Sequence, residues 1–436
     1  MHLILVTSIF RIIKVRVFNV TAGKPDPLGM AKTARDPILV VGGGLGGAAV
    51  ALALARNGFR VCLIEQAPEF GVIGYGIQLG PNAFHMFDHL GVSEAVLTHA
   101  IIPNSLLMLD SVDGSVIARI PTGASFTARF KHPYIVIHRV DLHHILLDAC
   151  KANSDIELMP LISAIGYEDL GDGVRLRTQG DQCIEGAAIV GADGLRSTIR
   201  QQMVRQSEPR MIGFVAHRTI VPMSEVSADI RHNDVVLWSG PGFHIVHYPL
   251  RAGTLFNIVA VFKTSSYLER GDIGSYRAEI ERAYCNSHPS MKALLSMMDV
   301  TRRWAISDRD PIRHWSKGRV TLLGDAAHPT LQTLAQGACM AIEDAVCLAQ
   351  LLDQANGDFV SAFRRYEAAR YLRTARVQFE SRYHWDNFYH VAGIEREVAR
   401  EIWSKRSEKE MFECLAWLYD GFALPQSGPP EKAIPS

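Results

Sequence analysis

Short apolar runs alternate with glycine turns and helical stretches near the start of the clear pattern. Pro37-Ile38-Leu39-Val40-Val41 runs into glycines, Ala48 to Ala55 is helical in composition, and Arg60-Val61-Cys62-Leu63-Ile64-Glu65 is apolar again. Strand, glycine turn, helix and strand make a βαβ unit, with the right-handed crossover of a parallel sheet. After residue 80 the pattern loosens. His138-Arg139-Val140-Asp141-Leu142 then opens a helix through about Ala152, and Ile162 to Thr178 reads as a hairpin around Gly171-Asp172-Gly173. Ala187 to Gly194 reads as a buried strand ending in a turn. Strand candidates at 211–221, 235–238, 243–249 and 254–263, divided by turn residues, predict an antiparallel sheet inserted between α/β pieces. The α/β pattern returns at Arg319 to Asp325 and stays helical to roughly residue 390.

Five regions follow from this reading: an N-terminal extension over 1–35, a dinucleotide-binding part over 36–205 with some strands of the inserted sheet, that sheet with helices over 206–300, a second dinucleotide-binding part over 301–385, and a C-terminal helical segment over 386–436. The first residues do not read as a secretory signal, because Arg11, Lys14 and Arg16 follow the apolar run instead of preceding it. The run is too short to span a bilayer. An upstream start or a loose tail is the expectation for 1 to about 30.

At 436 residues with 48% hydrophobic composition, the chain can bury a large core. Basic and acidic residues balance at 45 each, so no overall field favours nucleic acid or an anionic membrane surface. The seven cysteines form no C-x-x-C pair and no zinc spacing, which fits free thiols in a reducing cytoplasm and no metal site.

Gly42-x-Gly44-x-x-Gly47 places glycine where the turn is tight, where backbone approaches a pyrophosphate, and where helix packs on strand. The helix behind it offers free N–H groups and a partial positive charge. Glu65, 23 residues after Gly42 at the end of the second strand, can accept hydrogen bonds from ribose hydroxyls. By itself this loop does not separate FAD from NAD. Two later segments bear on that choice: Gly191-Ala192-Asp193-Gly194-Leu195-Arg196-Ser197-Thr198, and Gly324-Asp325-Ala326-Ala327-His328-Pro329 followed by Gln336-Gly337-Ala338. A strand ending in Gly324-Asp325 presents a carboxylate that can hold a ribityl hydroxyl, or Asp325 is an ordinary cap. The Gly337-Ala338 turn opens a helix whose N–H groups can face the electron-rich end of a reduced flavin.

At these residues the chain resembles the single-component flavoprotein aromatic hydroxylases, which include p-hydroxybenzoate, salicylate and 3-hydroxybenzoate hydroxylases. The resemblance runs from about residue 36 to 425 with all three flavin segments in the family's order. It implies an α/β fold with a Rossmann-like FAD-binding domain, an inserted antiparallel-sheet substrate domain and C-terminal helices. It also implies bound FAD, with Asp193 and Gly194 where FAD and NAD(P)H pass, Asp325 on the ribityl chain, and Arg139 at the flavin side. No second nucleotide-binding loop appears in the sequence, so the nicotinamide, NADH in preference to NADPH, is expected to bind transiently.

On a strand, His244 and Tyr248 of Gly242-Phe243-His244-Ile245-Val246-His247-Tyr248-Pro249-Leu250 share one face while His247 points away. They are either satisfied sheet residues or a pair that meets a substrate hydroxyl, where a base would turn phenol to phenolate. The resemblance favours the second reading. The hydroxylases of 3-hydroxybenzoate look closest, carrying His and Tyr in this H-x-x-x-Y-P-L setting and a glutamine where Gln332 stands. An amide at Gln332 can hydrogen-bond a substrate hydroxyl or carboxylate. Ala216-His217-Arg218-Thr219 departs from the family's aromatic, Arg and Gly, which leaves the pocket shape open.

The implied reaction is hydride transfer from NAD(P)H to FAD, oxygen addition giving a flavin hydroperoxide, and hydroxylation of 3-hydroxybenzoate para to its phenolate, yielding gentisate. The alternatives are a decarboxylating salicylate hydroxylase or a hydroxylase of another phenolic or heteroaromatic acid, and, in a different class, a flavin oxidase or a non-catalytic flavin-binding protein. The C-terminal stretch mixes Arg with aromatics at helical spacing. It is expected to pack on the flavin domain, or, through exposed Trp385, Phe388 or Tyr389, to support a homodimer.

Overall fold

A computed structural model describes residues 36–71, 74–180, 182–204, 208–265 and 273–426. The extension expected over 1–35 lies outside the described residues. The first βαβ unit forms as read: strand Ile38–Val41, helix Leu45–Arg56, strand Val61–Ile64. All four residues of each strand are buried, the mark of a parallel strand covered on both faces. The sheet they belong to has six strands, in the order 316–317, 320–322, 188–191, 38–41, 61–64, 156–159, parallel except for the pair at its first edge. Strand Ile38–Val41 continues to Val61–Ile64 on one side and pairs with Ala188–Gly191, from far along the chain, on the other. This is the switch point at which ligands bind beyond the carboxyl ends of such strands.

The hairpin read over 162–178 appears as strands Ala164–Asp169 and Val174–Thr178, joined by a third, Cys183–Gly186. The inserted sheet has seven strands, ordered 304–308, 210–222, 255–263, 243–250, 235–240, 105–110, 116–121. Four of them were read from the sequence. Ser105–Asp110 and Val116–Pro121 lie in the stretch where the pattern loosens, and Ser105–Asp110 joins the sheet through its one parallel pairing, to Val235–Gly240. Trp304–Asp308 pairs with Arg210–Pro222, so the sheet recruits a strand from a stretch read as the second dinucleotide-binding part. The two-stranded pair Gly76–Leu79 and Ile135–His138 was not read from the sequence.

Helices Gly337–Gln354 and Phe359–His384 follow, and the latter passes into a π-helical turn, Trp385–Tyr389. Helices Gly393–Ser404 and Glu408–Tyr419 end the described chain, the latter with a capping box between Ser407 and Glu410. Phe412, Leu418 and Tyr419 pack with Phe126, Phe130 and Tyr248, so this segment seals the boundary between the large sheet and helix Gly337–Gln354. Here one expectation is corrected. Trp385 and Phe388 are buried and Tyr389 is half-buried, because the π-turn swings their rings inward instead of spacing them along an outer face. The exposed apolar side chains of the C-terminal helices are Leu372, Phe379, Tyr383, Ile394, Val398 and Ile402. No helix among the described residues is long and apolar enough to cross a membrane.

Candidate active site

Three turns leave the six-stranded sheet side by side, because Val41, Gly191 and Leu322 are in register. The first is the glycine loop. Gly42 has φ +108°, and a Cβ there would come within 2.5 Å of the Ala192 carbonyl oxygen; a Cβ on Gly47 would lie 1.8 Å from the Gly42 oxygen. These two glycines allow protein to approach protein. At Gly44 a Cβ would meet nothing within 4 Å, so the open space there belongs to something other than the chain. No side chain caps helix Leu45–Arg56, and its first N–H groups face that space. Glu65 accepts from Gly43 N at 2.7 Å and Ala67 N at 2.9 Å, which fixes its carboxylate beside the loop and leaves lone pairs for further donors. His143 Nε2 lies 2.6 Å from the Gly43 oxygen and braces the loop from behind.

In the second turn, Asp193 accepts from the Ser197 hydroxyl and from Thr198 N at 2.8 Å. Its carboxylate thus caps helix Thr198–Met203 and shapes the turn whose Gly194 has φ +75° and open space around it. Buried Arg200 donates to the carbonyls of Ala326 and Ala327 at 2.8 and 2.7 Å, tying this turn to the third.

The third turn is Gly324–Ala326, where Gly324 N donates to Asp344 at 3.1 Å. Asp344 also accepts from His328 Nε2 at 2.6 Å and Arg370 Nε at 2.7 Å, while neighbouring Glu343 is gripped by Arg370, Arg373 and Asn82. Burial alone would raise the Asp344 carboxyl, but His328 and Arg370 outweigh it and hold it at about 2. The network keeps the turn in place so that Asp325 is presented to the cleft. Asp325 is open to the cleft yet crowded by protein, which raises its carboxyl; His328 and then Arg139 pull against the rise. Arg139, also exposed there, heads helix Arg139–Lys151.

A cavity of about 430 Å³ starts at this third turn. Asp325, Gly337 and Ala338 line it on one side, with the uncapped start of helix Gly337–Gln354, and His244, Tyr248, Gln332 and Arg218 line it on the other. Its sheet wall contains one cross-strand row: Arg218, Val259, Val246, Leu237, Met108 and Ala118 are successive partners on six neighbouring strands. His244 and Tyr248 stand two residues to either side of Val246 on the same face. His247 points away as expected and accepts from Trp238 Nε1 at 3.1 Å.

The sequence-predicted residues separate into two ends of this wall. Gln332 Nε2 lies 3.5 Å from His244 Nε2, and Arg218 donates to Gln332 Oε1 at 3.2 Å. Tyr248 is four residues along the strand, roughly 13 Å from His244 between Cα atoms. Its ring packs on Gly76, where a Cβ would come within 2.5 Å of it. Burial pushes the Tyr248 phenol up, and nearby Arg218 opposes this. Among the described residues that line the cavity, Arg218 supplies the only Lys or Arg charge and Asp325 the only carboxylate.

His217 and Thr219, the two departures, do not shape the cavity. They project from the opposite face, where His217 hydrogen-bonds Tyr276 Oη and the Arg302 carbonyl at 2.8 Å each, and the Thr219 hydroxyl accepts from Asp299 N. Sequence reasoning missed His390, whose Nε2 is 2.8 Å from His244 Nδ1, and the Glu343–Asp344–Arg370 network. An imidazole directly after the aromatic run Trp385 to Tyr389 was the available signal for the first.

The glycine cradle, two uncapped helix starts and a carboxylate presented at the switch point fit FAD. A family model described as FAD binding domain matches residues 35–377. The chain belongs to the FAD-dependent aromatic hydroxylases. A 3-hydroxybenzoate 6-hydroxylase of Polaromonas naphthalenivorans is 43% identical over 383 residues, covering 88% of this chain and 95% of that protein. One of Klebsiella oxytoca is 40% identical over 390 residues, 89% and 97% of the two chains. Among solved structures, HpxO of Klebsiella pneumoniae complexed with FAD and uric acid superposes with a TM-score of 0.79 at 24% identity, over 89% of this chain and 98% of that one. The flavoprotein hydroxylase thus keeps its fold well beyond the range of sequence likeness. Like its family, this chain is a flavoprotein monooxygenase.

Proposed function

We propose that this hydroxylase converts 3-hydroxybenzoate to gentisate (2,5-dihydroxybenzoate), with NADH as reductant and dioxygen as oxidant. The observation that carries the reading is the continuity of one cavity from Asp325, Gly337 and Ala338 to His244, Gln332 and Arg218. The names of the two 3-hydroxybenzoate 6-hydroxylases at 40–43% identity support the choice of substrate.

Bound FAD supplies the reductive activation of dioxygen that delivers one oxygen atom to the ring. Gly42, Gly44, Gly47 and Glu65 would hold its ADP half, and Asp193, Gly194, Gly324, Asp325, Arg139, Gly337 and Ala338 the remainder. His244 accepts the phenol proton, and Gln332 orients the hydroxyl from beside it. The resulting phenolate enriches the carbons ortho and para to oxygen. Arg218, which donates to Gln332 and lies near Tyr248, pairs with the substrate carboxylate. The apolar residues of the cross-strand row pack against the ring and keep water away from it. Hydroxylation of the carbon para to the phenolate gives the 2,5-diol.

Product analysis tests this directly. FAD-loaded protein given NADH, oxygen and 3-hydroxybenzoate should form gentisate in step with NADH consumed. Release of carbon dioxide from salicylate without turnover of 3-hydroxybenzoate would replace the assignment by a decarboxylating hydroxylase; appearance of all the oxygen as peroxide would replace it by an oxidase. Anaerobic flavin reduction by NADH and NADPH in turn decides the reductant.

A further inference from the structure

The π-turn Trp385–Tyr389 ends at His390, 146 residues from His244 in sequence, yet His390 Nε2 lies 2.8 Å from His244 Nδ1. Turns of this kind recur at functional sites because they re-aim side chains that an α-helix would place elsewhere. On its other side His390 Nδ1 is 3.1 Å from the Trp385 carbonyl oxygen. A carbonyl only accepts, so His390 Nδ1 carries hydrogen. Burial lowers both imidazoles, His390 to about 4, so each is neutral near pH 7. A neutral His390 with hydrogen on Nδ1 has a bare Nε2. That nitrogen must accept from His244 Nδ1–H, which leaves the lone pair of His244 on Nε2, toward Gln332 and the cavity.

We infer that His390 is a positioning residue that fixes the tautomer of His244 and takes the Nδ1 proton of His244 when the substrate hydroxyl gives its own to Nε2. The inference rests on the reading of His244 as the base. The protons balance: the phenol O–H bond breaks as His244 Nε2–H forms, and His244 Nδ1–H breaks as His390 Nε2–H forms. The positive charge then resides on His390, still hydrogen-bonded to the Trp385 carbonyl, and one residue removed from the phenolate. Phe214 and Trp385 pack around the pair with apolar faces. The titratable or charged groups nearest the pair are Tyr389 on the same turn, whose ring meets His244, and His384, Arg218 and Tyr248, which line the same cavity. None is a carboxylate that would hold His390 in the opposite tautomer.

The test uses FAD-loaded wild-type protein, His390→Leu, His390→Gln and His244→Ala, with 3-hydroxybenzoate as the probe. Phenolate formation on the bound probe is followed anaerobically by absorbance against pH, and turnover is measured in parallel. His390→Leu should lower kcat about 10- to 100-fold with KM within about threefold, and raise the pH midpoint of phenolate formation by about one unit. His390→Gln can donate to the Trp385 carbonyl and accept from His244 Nδ1, so it should restore the His244 tautomer and only part of both the midpoint and kcat, since an amide does not take up the proton. A wild-type midpoint and kcat in His390→Leu, with both lost in His244→Ala, overturns the inference and leaves the base assignment standing. A wild-type midpoint in His244→Ala overturns the base assignment itself. Nitrogen-15 spectra of labelled histidine in the substrate-free wild-type holoenzyme near pH 7 give a check that needs no variant: hydrogen on Nε2 of His390 overturns the inference.

Discussion

The two ends of the cavity are built from different materials. At the flavin end, backbone does the positioning: glycines that let chain approach chain, uncapped helix starts, and turns held by Asp193 and Asp344 from behind. At the substrate end, side chains from several neighbouring strands do it, with Gln332 and His390 brought in from elsewhere. A backbone-built site tolerates little change in shape but is indifferent to most side chains. A side-chain-built site is the reverse, and substitutions should separate the two.

The largest effect is expected at Gly47. Gly47→Ala puts a carbon within 1.8 Å of the Gly42 oxygen, so the purified protein should lack FAD absorbance and melt well below wild type. Retention of flavin with normal melting would show that the loop bends more easily than its geometry indicates. His244→Ala should keep flavin content and fold while kcat falls by roughly 10²- to 10³-fold; an equal loss of flavin would blur the division between the ends. Gly44→Ala sits between these extremes. Since its Cβ meets no protein atom, the apoprotein should melt like wild type while FAD binds about tenfold more weakly. Turnover at saturating FAD should be unchanged.

The smallest effect concerns the back of the sheet. Burial lowers His217 to about 4 and His247 to about 3. Both are therefore neutral in the folded protein at pH values where the unfolded chain, near 6.5, already binds protons. Their contribution to stability is complete above about pH 6.5 and declines as pH falls toward 4, with a slope of up to about one proton per histidine. Urea midpoints between pH 7.5 and 5 should fall accordingly, and His217→Gln should flatten the decline. An unchanged slope would remove His217 from the account.

The same division explains what the sequence disclosed. The glycine loop, Glu65, Asp193-Gly194 and Gly324-Asp325 are local signals, because a turn's requirements are met by residues adjacent in the chain. The strand parity of His244, Tyr248 and His247 was equally readable, since a period of two needs no tertiary knowledge. His390 was not, because its meeting with His244 depends on a π-turn that interrupts an otherwise regular helical spacing. Nor was the grip of Arg370 on Glu343 and Asp344, made across two helices by residues 27 and 26 positions apart. Ser105–Asp110 escaped because its buried and half-buried positions do not alternate cleanly, which suits a strand inside a sheet covered on both faces.

The cross-strand row has an evolutionary implication. Val259, Val246, Leu237, Met108 and Ala118 each meet the cavity from a separate strand at one common height. Exchange of any one for a larger or smaller apolar residue redraws the contour offered to an aromatic ring while leaving strand register and the histidine pair where they are. Neighbours in the row touch, so such exchanges are coupled pairwise along it. A lineage on this scaffold can therefore drift from one ring substitution pattern to another by single steps, with adjacent positions changing in tandem, while its oxygen chemistry stays intact.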